Sequence, residues 1–242
     1  MKIILEIDYG DKSYKQVESL LGEILDEFMV LFPLGPRLGH KDILVVLSDI
    51  DGPIAYSRKL PVKYEIGITP TEYYPLQITY QFAHELCHVF IDPRLTNWLI
   101  ESFCECMSLV ALEKLAITRQ SNNPDWAEKY FQYINTTKKR HLKSLGLTEN
   151  QIETNNYSSY NKSLTTPYNR GVNFINAWKI FNLYKVTPTV LNLVSYLHYS
   201  KNIETLGENV FIEEIHPNLS KFENNIPYEL LQIWADLKEN II

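Results

Sequence analysis

Four short apolar segments near the amino terminus alternate with turn-forming residues, a pattern that predicts β-strands. The predicted strands are residues 3–7, 43–47, 54–58 and 62–68. Between the first two, apolar residues recur at helical spacing, which predicts a helix opened by a capping box, Ser13-x-x-Gln16. Its apolar stripe is Val17, Leu20, Leu21, Ile24, Leu25 and Phe28. The segment 62–68 is expected to be an edge strand to which an extended peptide adds by main-chain hydrogen bonds.

From Pro75 onward the pattern becomes helical. Pro75 suits a first helical turn, and the helix is expected to end before Asp92 because Pro93 cannot continue it. Two more helices are predicted over about 97–116 and about 124–146. Others are predicted to begin at Thr166-Pro167, Thr187-Pro188 and Pro227, and residues 153–166, rich in Asn, Ser and Thr, are predicted to be a loop.

This order of elements predicts an α+β fold. Residues 1–95 are expected to form a small N-terminal lobe with a mixed sheet, ending in the helix that starts at Pro75. Residues 96–242 are expected to form a mainly helical C-terminal lobe. A chain of 242 residues can bury a full core, which suits one compact domain or two lobes that share a cleft; the two lobes are expected to form one catalytic domain together.

Composition and charge narrow the class of protein. Hydrophobic residues make up 45% and charged residues 21%, typical of a globular protein. A formal charge of −6 argues against nucleic acid or an anionic membrane as the main partner. Neither a membrane-spanning run nor a signal peptide is apparent. Three cysteines, an odd number in no disulfide-scaffold spacing, favour a reducing compartment, so a cytoplasmic location is expected, with the oligomeric state unknown.

The segment His84-Glu85-Leu86-Cys87-His88 carries the strongest chemical signal. On a helix, residues four apart share a face, so His84 and His88 can bind one Zn²⁺ ion. Glu85 is offset around the helix and lies beside the open coordination position, where it can act as a general base towards water. An inert core helix with two histidines is the structural alternative.

Two histidines need a third protein ligand to hold zinc durably. Asp92 is close in sequence, but it lies at the helix end before a proline and points off the metal face. Glu101, in the first turn of the next helix, is the stronger candidate. Glu105 lies one turn further on the same face, where it could accept a hydrogen bond from a ligating histidine. The cysteines are interpreted as small buried apolar residues.

The two segments HELCH and NWLIESFCE together resemble the gluzincin metallopeptidases, which include thermolysin and the aminopeptidase-N-like enzymes. The resemblance implies a thermolysin-like fold with the zinc helix between the two lobes, and Glu101 as the third zinc ligand. The pair Glu101 and Glu105 resembles the thermolysin Glu-x-x-x-Asp, whose acid orients a ligand histidine. Here a glutamate replaces the aspartate.

A second resemblance lies in TTPYNRGVNF, residues 165–174, which is similar to the Pro-Tyr-x-(Lys/Arg)-Gly segment of the aminopeptidase-N-like family. The resemblance implies that the Tyr168 hydroxyl donates a hydrogen bond to the oxyanion of the tetrahedral intermediate. Tyr160 and Tyr157, in the predicted loop, are the alternatives if the loop places them closer. The Gly-x-Met-Glu-Asn motif, which binds the substrate amino terminus in those enzymes, is missing, and the spacing from His88 to Glu101 is short.

The expected function is therefore a zinc-dependent peptidase acting on peptides or proteins. Zinc is held by His84, His88 and Glu101, Glu85 is the general base, and Tyr168 supports the oxyanion. The natural substrate and the choice between endo- and exopeptidase activity stay open. A catalytically inactive peptidase-like scaffold, serving as a peptide-binding or regulatory module, is the alternative, favoured by the missing amine-binding motif and the short spacing.

Overall fold

The computed structural model describes residues 1–60, 62–153, 170–200, 212–213 and 218–241. Within these ranges the protein is α+β, with a small mixed sheet and mostly helical content. Two compact units divide the chain: residues 1–94 with 107–131, and residues 95–106 with 132–242. The predicted lobes, 1–95 and 96–242, differ from this division because one continuous helix, α3, Trp98–Arg119, contributes residues to both units.

The first unit is built on a four-stranded sheet. Its strands are β1 (Ile3–Leu5), β2 (Ile43–Leu47), β3 (Ile54–Tyr56) and β4 (Tyr64–Ile68). Their order is β1-β2-β4-β3. Strands β1, β2 and β4 run parallel, and β3 pairs antiparallel with β4. All four strand predictions are confirmed, with shorter bounds at three of them.

Strand β4 is internal, so the prediction that 62–68 is an edge strand is wrong. It pairs with β2 on one side and with β3 on the other, and all five of its residues are buried. One of them, Glu65, is charged, and ion pairs with Arg58 and Lys59 offset the cost of burying its carboxylate. The Nζ atom of Lys59 lies 2.9 Å from Glu65 Oε2. Because both backbone edges of β4 are used along residues 65–67, peptide addition there is excluded. Among the described strands, β1 and β3 form the edges of this sheet.

Helix α1, Gly10–Leu31, buries the predicted apolar stripe of six residues. Its start differs from the prediction, since the capping box at Ser13 lies inside the helix. Near the observed start of the helix, the side chain of Asp8 accepts a backbone hydrogen bond: its Oδ1 accepts from Gly10 N at 2.9 Å. Gly10 has a φ of 71°, which a residue with a side chain adopts at a cost.

Helix α2, Pro75–Ile91, has the bounds that the prolines predict, with Pro75 in its first turn. It contacts α1, β3 and β4, so the sheet side of the helix is covered by the core of the first unit. Twelve of its 17 residues are buried, among them Phe82, Leu86 and Val89. This packing holds the polar residues of α2 on a rigid backbone.

The second unit is mainly helical. Its two short strands, β5 (Leu95–Thr96) and β6 (Ile212–Glu213), pair in parallel. Its helices, besides the start of α3, are most of α4 (Pro124–Ser144), α5 (Glu149–Glu153), α6 (Arg170–Val186), α7 (Leu219–Glu223) and α8 (Tyr228–Ile241). A 3₁₀ segment, Pro188–Ser200, contacts α6, α7 and α8 and forms the centre of this unit.

The helices have no membrane-spanning candidate among them. Within the described ranges, none combines the length and the low polarity that a bilayer crossing requires.

Candidate metal centre

Helix α2 places His84 and Glu85 next to each other and His88 one turn further on. The two imidazole rings have centroids 5.3 Å apart with planes inclined by 51°. His84 is half-buried, whereas Glu85 and His88 are buried. This geometry follows from the four-residue spacing on a helix, so the two nitrogen donors lie side by side as the sequence indicates.

Asp92, the candidate third ligand that is closer to the histidines in sequence, binds two arginines. Its carboxylate accepts hydrogen bonds from Arg94 Nε at 2.8 Å and Nη2 at 2.7 Å, and a further one from Arg37 at 3.2 Å. Burial would raise the pKa of Asp92, but the bonds from Arg94 hold it below its usual value. Asp92 therefore serves as the anchor at the C-terminal end of α2.

Glu101 and Glu105 lie in the first two turns of α3, as predicted. Glu101 is half-buried, and its Oε1 accepts a hydrogen bond from Thr96 Oγ1 at 2.6 Å. The helix start is fixed by Asn97, whose Oδ1 accepts from the backbone N–H groups of Leu99 and Ile100, both at 3.0 Å. The side-chain cap explains why the helix begins at this point.

Glu105 is buried in the second unit beside His141. Burial raises the pKa of Glu105 to about 8, partly opposed by the positive charges of Arg140 and Arg170. Nε2 of His141 lies 3.9 Å from Glu105 Oε1, and the imidazole stacks on Phe174 with centroids 4.4 Å apart. Burial lowers the pKa of His141 to about 4. The predicted hydrogen bond from a zinc-ligating histidine to Glu105 stays a prediction.

Cys104 supplies a donor that the sequence analysis did not include. One helical turn after it, Ser108 Oγ donates a hydrogen bond to the carbonyl of Tyr80, one turn before His84, at 2.8 Å. Among the described residues, His84, His88 and Cys104 each offer one possible ligand atom, and these three atoms lie within 4.8 Å of one another. Glu101 is not one of these three residues, but it precedes Cys104 by three positions on the same helix.

Cys104 was missed because a buried cysteine in an apolar helix is more often a packing residue. Its side chain is fully buried, as are those of Cys87 and Cys106. The signal that could have identified it is its spacing from Glu101, because residues three apart on a helix share a face. A metal that Glu101 approaches is therefore within reach of Cys104 as well.

The donor set fits zinc. Two imidazoles with a carboxylate or a thiolate make a three-ligand set with one position open, the arrangement of catalytic zinc sites. Tyr168, and with it Tyr157 and Tyr160, lies outside the described residues, so the predicted oxyanion donor stays a prediction. In comparisons with protein-family models, curated proteins and solved structures, the chain matches none of them.

Proposed function

We propose that the protein is a zinc-dependent peptidase of the gluzincin type. The observation that carries the proposal is the pair His84 and His88 on one face of α2, with ring centroids 5.3 Å apart and a buried Glu85 next to His84. Paired imidazoles at this spacing with an adjacent carboxylate are the arrangement that zinc hydrolysis needs on one helix: two ligands on a shared face and a base beside the open position.

In this proposal His84, His88 and Glu101 hold the zinc ion, and Cys104 is the competing donor for the third position. When bound, zinc would polarise the carbonyl of the scissile peptide and lower the pKa of water towards about 7. The rigid packing of α2 keeps the two imidazoles in register, so little ordering is required when the ion arrives.

Glu85 acts as the proton carrier. It takes a proton from the attacking water as the new carbon–oxygen bond forms, and it delivers a proton to the nitrogen as the carbon–nitrogen bond breaks. The burial of Glu85 shields this exchange from bulk solvent. Tyr168 is proposed to donate a hydrogen bond to the oxyanion that develops on the carbonyl oxygen.

The test combines metal analysis with cleavage of a mixed peptide library by the wild type and Glu85→Gln. The proposal expects bound zinc in both proteins and cleavage by the wild type alone, with turnover lowered by about 10²–10⁴-fold in the variant. Exposed Glu18 on α1 offers a matched control, since Glu18→Gln should retain full cleavage.

Two results would overturn the proposal in different ways. A wild type that binds zinc without cleaving any peptide would indicate a non-catalytic peptide-binding or regulatory module. A wild type that binds no zinc would leave α2 as a structural helix.

A further inference from the structure

The carboxylate of Glu101 accepts a hydrogen bond from Thr96, two residues before the start of helix α3. Thr96 Oγ1 donates a hydrogen bond to Glu101 Oε1 at 2.6 Å, within the usual range for a hydroxyl donating to a carboxylate. Thr96 and Glu101 are both half-buried, so the contact is partly shielded from competing water. Thr96 carries no charge, so it does not neutralise the Glu101 carboxylate. Its hydrogen bond instead orients the carboxylate.

The backbone on both sides of this contact is fixed. Strand β5 holds Thr96 through its parallel pairing with β6, in which Thr96 lies opposite Glu213. Asn97 caps α3, and its Nδ2 also donates to Ser200 Oγ at 3.0 Å in the buried 3₁₀ segment. Ser200 in turn donates to the carbonyl of Leu197 at 2.6 Å. The donor and the acceptor thus start from rigid positions.

We propose that Thr96 is a positioning residue for Glu101, fixing the rotation of its carboxylate for metal binding. This inference rests on the proposed function, in which Glu101 is a zinc ligand. A glutamate carries several rotatable bonds, and ordering them upon metal binding costs free energy. A hydrogen bond to one oxygen orders the carboxylate before the metal binds and so reduces that cost. Residues that hydrogen-bond to metal-ligating carboxylates have this effect in other metal sites.

The experiment measures zinc affinity by competition with a chromogenic chelator. Thr96→Val keeps the shape and removes the hydroxyl, whereas Thr96→Ser keeps the hydroxyl. We expect Thr96→Val to bind zinc about 10–100-fold more weakly than the wild type, and Thr96→Ser to recover most of the affinity. Thr71, an exposed threonine, supplies the matched control, since Thr71→Val should leave the affinity unchanged.

A double-mutant cycle with Glu101→Gln separates positioning from a structural effect. If Thr96 acts through Glu101, Thr96→Val should add no further loss of zinc affinity to Glu101→Gln. Additive losses would overturn the proposal, as would a Thr96→Val protein with lower stability without metal but an unchanged affinity. Thr96→Ala replaces Thr96→Val in the cycle if the valine variant does not fold.

The failure of this inference differs from the failure of the proposed function. If Glu101→Gln weakens zinc binding and Thr96→Val does not, the positioning role is wrong and the zinc site stands. If Glu101→Gln leaves the affinity unchanged, Glu101 is not a ligand, and Thr96 loses its role with it. If the wild type does not bind zinc, the proposed function itself is wrong.

Discussion

Ser108 on helix α3 donates a hydrogen bond from its hydroxyl to the backbone carbonyl of Tyr80 on helix α2, at 2.8 Å. Ser108 is fully buried and Tyr80 is half-buried, so the bond is partly shielded from water. The bond fixes the position of these parts of α2 and α3 along each other within the first unit, because a hydroxyl reaches a carbonyl only when the two helices are close. Each helix carries candidate metal donors one turn from this bond, His84 on α2 and Cys104 on α3.

Ser108→Ala is expected to lower the free energy of unfolding by about 1 kcal/mol, the usual net value of one buried hydrogen bond. Urea unfolding of the variant measures it. Ser102→Ala on the same helix is the matched control, because Ser102 is equally buried but donates to Trp98 of its own helix, at 2.6 Å. Bonding within a helix adds little stability, so the control should change less. Equal losses would show that the tie between the helices has no special weight.

The elements that the sequence predicts well are those whose determinants are local. The bounds of α2 follow from the prolines at positions 75 and 93, and the stripe of α1 follows from helical spacing alone. The central place of β4 was not predictable in this way, because it depends on pairing with β2 and β3 rather than on its own residues. Glu65 is a charged residue in this buried strand, and its ion pairs with Arg58 and Lys59, which the sequence does not reveal, explain its burial.

The same distinction applies to the candidate site. The face shared by His84 and His88 follows from a spacing of four, so the sequence was sufficient. The spacing of Cys104 from Glu101 indicates that they share a helix face, but which donors that face meets depends on how α3 packs, and spacing within one helix does not reveal that. The start of α1 shows a third case, in which Asp8 acts near the helix start where the pattern favoured Ser13.

The third metal ligand can be identified with cobalt in place of zinc. Glu101→Gln is expected to weaken metal binding by more than about 100-fold, since losing a ligand costs more than losing an outer partner. Cys104→Ser should retain most of the affinity. A thiolate bound to Co²⁺ produces a charge-transfer absorption in the near ultraviolet, which a carboxylate does not. The wild type should lack this band; its presence, and its loss in Cys104→Ser, would assign the position to Cys104.

Among the caps of the described helices, Asn97 is expected to cost the most unfolding free energy when it is replaced by alanine. It is 1% exposed, and its amide both accepts from two backbone N–H groups and donates to Ser200. Asn97→Ala should therefore cost about 2 kcal/mol of unfolding free energy, the upper end for a helix cap. Asn123→Ala is the control, because Asn123 is an exposed cap with a single contact of 3.4 Å, to Trp126 N. It should cost about 0.5 kcal/mol.

The ion pairs of Asp92 give the stability of the fold a defined pH dependence. The pKa of Asp92 is lowered in the folded protein, because the hydrogen bonds from Arg94 outweigh the opposing effect of burial. A lowered native pKa stabilises the fold above the unfolded value of about 3.9, and this contribution is lost as the pH falls through the native pKa. Asp92→Asn should therefore cost about 1–3 kcal/mol near neutral pH, from hydrogen bonds to charged groups.

The cost of Asp92→Asn is expected to shrink below about pH 4, where the carboxylate takes up its proton first in the unfolded protein, and to shrink further as the pH approaches the lowered native pKa. Urea unfolding of both proteins between about pH 7 and 3 measures the difference. Asp26→Asn, at an exposed position of α1, should change the unfolding free energy by less than about 0.5 kcal/mol at every pH. A difference between wild type and Asp92→Asn that is constant over this range would show that the charge of Asp92 does not stabilise the end of α2.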